Sequence, residues 1–148
     1  MSLCTARDDP ANHDNFGLAV MIFHLLFMGR HPFAGRFLGR GDMPIETAIQ
    51  QYRFAYGSDC KLTQMEPPPH VPALVSVSPG IASLFERAFS RTSTNGHARP
   101  TPADWITALD SVANQLARCK REPNHLHVSS SLACPWCEIE GADPDRRF

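Results

Sequence analysis

The sequence predicts a mostly α-helical domain, and three observations carry that prediction. From Phe16 to Met28 the chain is almost continuously apolar, with His24 as its one strongly polar side chain. Three later segments, near 45–56, 81–89 and 105–116, repeat apolar residues at spacings of three and four, the period of one helix face. Strand signals are sparse, with Val71–Val77 the best candidate. At 148 residues and 43% hydrophobic content the chain fits one domain with a real core.

The first helix is expected from about Asp14 to Met28, with Asp14 capping its N-terminus and Gly29 ending it in a left-handed conformation. It is apolar nearly all round, so it belongs at the centre of the domain. A turn-rich stretch follows. Pro44 then suits the first position of a second helix, whose face Ile45, Ala48, Ile49 and Tyr52 runs to about Tyr56. Residues 57–77 are rich in proline and lack a sustained period. Ser78-Pro79 opens a third helix carrying Ile81, Leu84, Phe85, Ala88 and Phe89 on one stripe. After a loop at "RTSTNGHARP", Thr101-Pro102-Ala103-Asp104 matches a capping box. Trp105, Ile106, Leu109, Val112 and Leu116 continue a fourth helix to about Arg118.

Composition removes several functional classes. A bilayer span needs about 20 apolar residues, and the run at 16–28 is shorter and contains His24. Asp8, Asp9 and Asp14 precede it where an export signal would be basic. The formal net charge of -1 provides no field for nucleic acid or anionic lipid. A cytoplasmic, membrane-free protein is therefore expected. No Ser-His-Asp, Cys-His or paired-carboxylate arrangement stands out by spacing.

The cysteines are more informative. Cys119, His125, Cys134 and Cys137 follow the pattern Cys-x5-His-x8-Cys-x2-Cys, with His127 close by. Two thiolates two residues apart chelate one zinc ion from a tight turn, and a distant pair closes the tetrahedron. Four protein ligands leave no position for water, so such a Zn2+ site is structural. The competing readings are free thiols, or a redox or disulfide pair at CPWC. A redox pair wants a strand-to-helix setting that the surrounding pattern does not suggest. Cys4 and Cys60 have no partner by spacing, and His13, His24, His31, His70 and His97 read as structural. Arg118, Lys120 and Arg121 form a small basic cluster, better read as a solvated element end than as a nucleic-acid footprint.

The order of signals, "DNFGLAVMIFHLLFMGRHPF", a Pro-rich connection, two more helices and "ARPTPADW", resembles the C-terminal lobe of a protein kinase. In that family the buried central helix opens Asp-x-Trp-Ser-x-Gly, closes Leu-x-x-Gly-x-x-Pro-Phe and later meets an Arg-Pro pair. Asp14, Gly29, Pro32, Phe33, Arg99 and Pro100 take those positions, with Phe16 for the Trp and Gly17 for the Ser. With "GRHPFAGR" and "CPWC", the resemblance extends to bacterial kinase-like proteins that carry helix-hairpin-helix DNA-binding segments after the kinase domain. It covers roughly residues 10–140.

The resemblance implies a partial kinase C-lobe of four main helices over 14–118, after a loose segment 1–13. A zinc knuckle at 119–140 and a flexible tail at 141–148 follow. It also favours His125 over His127 as the nitrogen ligand, since such relatives tend to carry an aromatic at the latter position. Asp14 would accept hydrogen bonds from a catalytic-loop backbone, and Arg99 would pair with the Glu of an Ala-Pro-Glu motif. No Glu occurs in residues 1–13, so Arg99 must find another acceptor or face water.

Phosphoryl transfer needs a Gly-rich loop, a strand-borne Lys, a catalytic Asp and Asn, and a metal-binding Asp. The chain offers none of these patterns, and Lys61 and Lys120 are its only lysines. The expectation is a non-catalytic portion of a kinase-like protein that serves structure and partner docking, through missing kinase segments or a protein partner. The alternative is an independent zinc-stabilised interaction module, associated with DNA. Because Leu18, Val20, Met21, Ile22, Phe23, Leu25, Leu26 and Phe27 surround the first helix, a homodimer through the 14–29 helix is also expected.

Overall fold

The computed structural model describes residues 10–91 and 99–145. They are mostly helical: α1 (Pro10–Leu26), α2 (Ile45–Gln50), α3 (Leu74–Val77), α4 (Pro79–Phe89), α5 (Pro102–Ala113) and α6 (Pro135–Ala142). Two small antiparallel ladders join β1 (Arg36–Phe37) to β2 (Met65–Glu66) and β3 (Leu116–Arg118) to β4 (Leu126–Val128). None of the described helices is long and apolar enough to cross a membrane.

The centre of the core is aromatic. Phe23 is fully buried on α1, stacked on Phe27 at 4.2 Å between centroids. Tyr56 at 4.9 Å and Phe85 at 5.0 Å meet it edge-on, the favoured geometry for ring pairs. Phe85 passes the contact on to Trp105 of α5 at 4.9 Å, so α1, α4 and α5 share one core. The segments between the helices contribute as well: Pro32, Phe33, Phe54, Ala55 and, on β2, Met65 are all buried. Pro32 and Ala55 hold two of these loops together, the Ala55 N–H donating to the Pro32 carbonyl at 3.1 Å.

Local signals produce several elements where the sequence places them. Gly29 takes φ +75° and donates back to the His24 carbonyl at 2.8 Å, closing the end of α1. The Ser78 hydroxyl accepts from the Gly80 and Ile81 amides to start α4, and all of Ile81, Leu84, Phe85, Ala88 and Phe89 are buried. Thr101 and Asp104 form both hydrogen bonds of a capping box at α5.

Other boundaries differ. The first helix begins at Pro10, so residues 10–13, expected to be loose, form its first turn, while 1–9 lie outside the described residues. Proline suits a first helical turn because its φ is preset and its missing N–H would be unbonded there anyway. Asp14 therefore sits exposed inside the helix and caps nothing. The second helix stops at Gln50, not Tyr56, because Tyr52 turns to φ +54° and sends Phe54–Tyr56 into the core. The strand candidate at 71–77 contains a helical turn, α3. A strand there would leave its amides without a neighbour, whereas a turn bonds within itself, as Ser76 N–H does to Ala73 at 2.9 Å. The fourth helix ends at Ala113, and 116–118, expected to be helical, pair as a strand. Part of the loop at 91–100, residues 92–98, lies outside the described residues, as do Cys4, His97 and the tail's 146–148. Gly141 and Ala142, assigned to that tail, close α6.

Arg99 does find other acceptors. Its Nε donates to the Ala88 carbonyl at 3.2 Å and its guanidinium to the Asn12 carbonyl at 3.1 Å, and it lies over the Phe16 ring at 4.8 Å. The residue thus ties the start of α1 to the end of α4.

Gly35 marks a close approach. A Cβ there would overlap the Glu66 carbonyl and lie 2.6 Å from the Ala55 Cβ, with backbone on one side that cannot move aside cheaply. Gly35→Ala is expected to lower the urea-unfolding free energy by about 1–3 kcal/mol, the usual cost of overpacking. Unchanged stability would show that the β1–β2 ladder yields freely.

Candidate metal centre

The β3–β4 register, Leu116↔Val128, Ala117↔His127 and Arg118↔Leu126, decides what meets at the hairpin's end. Cys119 follows β3 directly and His125 precedes β4 directly, so the next pair in the ladder is Cys119 with His125. The Cys119 N–H donates to the His125 carbonyl at 2.9 Å. A tight turn holds the loop between them, with His125 N–H donating to Glu122 at 3.0 Å. The first thiol therefore leaves a strand, not the end of a helix as the periodicity suggested.

The second pair opens α6. Cys134 is its N-cap, Pro135 its first residue, and Cys137 lies three residues on, so both thiols share one face of the first turn. Trp136 ties this helix to the hairpin, its indole N–H donating to the Leu126 carbonyl at 2.7 Å. The hairpin and helix that carry these four residues run from Leu116 through Ala142.

One ligand atom from each of Cys119, His125, Cys134 and Cys137 lies within 4.8 Å of the others. Cys119 Sγ and Cys137 Sγ are 3.5 Å apart. His125 Nδ1 is 3.5 Å from Cys137 Sγ and 3.7 Å from Cys134 Sγ. A tetrahedral ion with metal–sulfur bonds of about 2.3 Å and metal–nitrogen bonds of about 2.0–2.1 Å has edges of about 3.8 Å and about 3.6 Å. These three edges lie within about 0.3 Å of those values, and the four residues form a cluster that could hold a metal ion. Cys60, Cys119, Cys134 and Cys137 form no disulfide.

The surroundings favour a charged centre. The Cys119 thiol is held below its ordinary value by the backbone amides of Glu122 and Arg121, the latter 3.4 Å from its sulfur. Cys137 is pushed the other way, first by burial and then by its thiol neighbours. Three thiols packed together resist losing all their protons unless a cation compensates. CPWC does open a helix, as a redox pair would, but an antiparallel β-hairpin precedes it, not the strand of a βαβ unit.

His127, the competing nitrogen, points elsewhere: its Nδ1 faces the Val128 carbonyl at 3.0 Å. Cys60 packs against the helical core and is not a member of the cluster. The residue that sequence reading missed is Glu140, whose Oε1 lies 3.2 Å from His125 Nε2. Its signal was present as spacing, since Cys134, Cys137 and Glu140 recur every three residues along α6.

No protein-family model matches the chain, and no solved structure matches it. Over 131 residues, 88% of its length, the chain is 38% identical to Protein kinase YegI of Escherichia coli O157:H7. It is likewise 38% identical over 130 residues, 87% of its length, to the protein of that name in Escherichia coli strain K12. The chain spans about one fifth of the length of these curated relatives, 20% of each. Along most of its own length, then, the chain is similar to a limited portion of a bacterial protein kinase.

Proposed function

We propose that the chain is a non-catalytic portion of a bacterial Ser/Thr protein-kinase-like protein, corresponding to its C-lobe, and that it acts in structure and partner docking. The observation that carries this reading is the 38% identity over 88% of the chain. The absence of a Gly-rich loop and of the Lys, Asp and Asn patterns of phosphoryl transfer supports the non-catalytic part. In this reading Cys119, His125, Cys134 and Cys137 hold one structural Zn2+, which suits a Cys3His set with no open position. The protein works in the reducing cytoplasm, where such thiols remain available to metal.

Docking falls to two surfaces. One surrounds α2, at the place where the resembling kinases receive substrates and regulators. The other is the uncovered side of α1, where Met21 is 65% and Leu25 83% exposed; here two copies pair as a two-fold homodimer.

Titration with ATP-Mg by calorimetry tests the non-catalytic reading. No saturable signal is expected, and a micromolar dissociation constant would overturn it. The DNA upstream of Met1 tests the parentage: an open frame encoding a Gly-rich loop and a His-Arg-Asp sequence is expected. Its absence would favour an independent zinc-stabilised module instead.

A further inference from the structure

We propose that Glu140 is a positioning residue of this metal centre, fixing His125 so that its Nδ1 faces the ion. The inference rests on the zinc reading above and adds to it a role for a residue that is not a ligand. A neutral imidazole carries one N–H, and the nitrogen opposite it is the one able to bind metal. In the structure the two nitrogens of His125 face different partners: Nε2 meets the Glu140 carboxylate at 3.2 Å, and Nδ1 meets the thiols of Cys134 and Cys137. With Nε2–H donated to Glu140, the Nδ1 lone pair is directed at the centre.

Burial makes the assignment selective. The His125 side chain is 1% exposed and that of Glu140 19%, so water does not readily replace the carboxylate. The helix supplies the register: Cys134 and Cys137 approach the ion from the first turn of α6, and Glu140, three residues further, reaches the far side of the imidazole. The metal motif is therefore Cys-x2-Cys-x2-Glu on the helix, paired with Cys-x5-His on the hairpin. The Nδ1 of His127 is instead engaged with the Val128 carbonyl at 3.0 Å.

The test measures Zn2+ affinity of the full chain by chelator competition, and visible absorption after Co2+ substitution. Wild type, Glu140→Ala and Glu140→Gln are compared. Glu140→Ala is expected to weaken Zn2+ binding by about 10–100-fold, the range seen when such an outer-shell partner is removed. Its Co2+ bands should shift as the histidine loosens. Glu140→Gln keeps a carbonyl that accepts from Nε2–H and should fall between the two. A variant whose melting temperature drops while affinity and Co2+ spectrum stay at wild-type values would overturn the proposal and leave Glu140 a packing residue. If Glu140→Ala does not fold, Glu140→Gln carries the comparison, and wild-type affinity and spectrum in it would count against the role. Wild type that binds neither ion would overturn the zinc reading itself.

Discussion

Removing the metal is expected to unfold residues 116–142 while the helical body stays folded. The segment has little else to hold it. Its hairpin pairs only Leu116–Arg118 with Leu126–Val128, and α6 is 8 residues long. An isolated two-stranded hairpin is marginal in water, and isolated helices below about 12–15 residues are likewise marginal. The apolar contribution is also small, with Val128, Pro135 and Ile139 as its buried members. In zinc-finger peptides of this kind metal binding is worth about 10–16 kcal/mol, and that binding energy is folding energy. Purified protein should carry about one zinc per chain by elemental analysis, the stoichiometry of a single closed four-ligand site. Chelation, or Cys134→Ser, should red-shift the emission of Trp136, whose indole is bonded to the hairpin at Leu126. The circular-dichroism change should be confined to a small helical loss. Chelated protein with unchanged Trp136 emission and melting temperature would show that the segment folds without metal. If His127→Ala releases zinc and His125→Ala does not, the nitrogen ligand is the other histidine.

Two neighbouring positions on α1 are expected to respond in opposite ways. Phe23→Ala should cost about 3–5 kcal/mol, the range for truncating a buried aromatic, out of a typical total of about 5–15 kcal/mol. Phe23 is fully buried and touches rings from α4 and from the loop at Phe54 and Tyr56. Its apolar neighbourhood in sequence suggested an interface position, but the structure places it inside one chain. A Phe23 variant therefore reports on folding and not on association. Met21 and Leu25, four residues apart on the opposite side, are the positions that face outward. Met21→Glu with Leu25→Glu should change monomer stability by no more than about 0.5 kcal/mol, as exposed substitutions usually do. The same pair should convert a wild-type dimer into a monomer by light scattering at micromolar concentration. Wild type that is already monomeric would remove the homodimer.

Much of the chain was legible without coordinates because its signals act over three or four residues. Ser78 and Thr101 bond amides one turn away, and Gly29 closes a helix by its own φ, so α4, the start of α5 and the end of α1 appear where local chemistry puts them. The cluster of Cys119, His125, Cys134 and Cys137 was legible too, since ligand chemistry demands both their types and a short Cys-x2-Cys span.

Three features needed the folded molecule. Val112 and Leu116 keep a helical spacing, yet Leu116 belongs to a strand, because the metal hairpin offers it Val128 as a cross-strand partner 12 residues away. Residues 1–13 offer Arg99 no Glu, and two of its acceptors, the carbonyls of Ala88 and Asn12, are backbone atoms that carry no sequence signature. The first helix is apolar around its circumference, so periodicity could not say which side is covered. Packing of α4 and the Phe54–Tyr56 loop chose Phe23 for the interior and left Met21 and Leu25 outside. In each case a partner distant along the chain made the choice. Caps, turns and ligand spacings reside in neighbouring residues, whereas burial and pairing depend on which distant segment arrives.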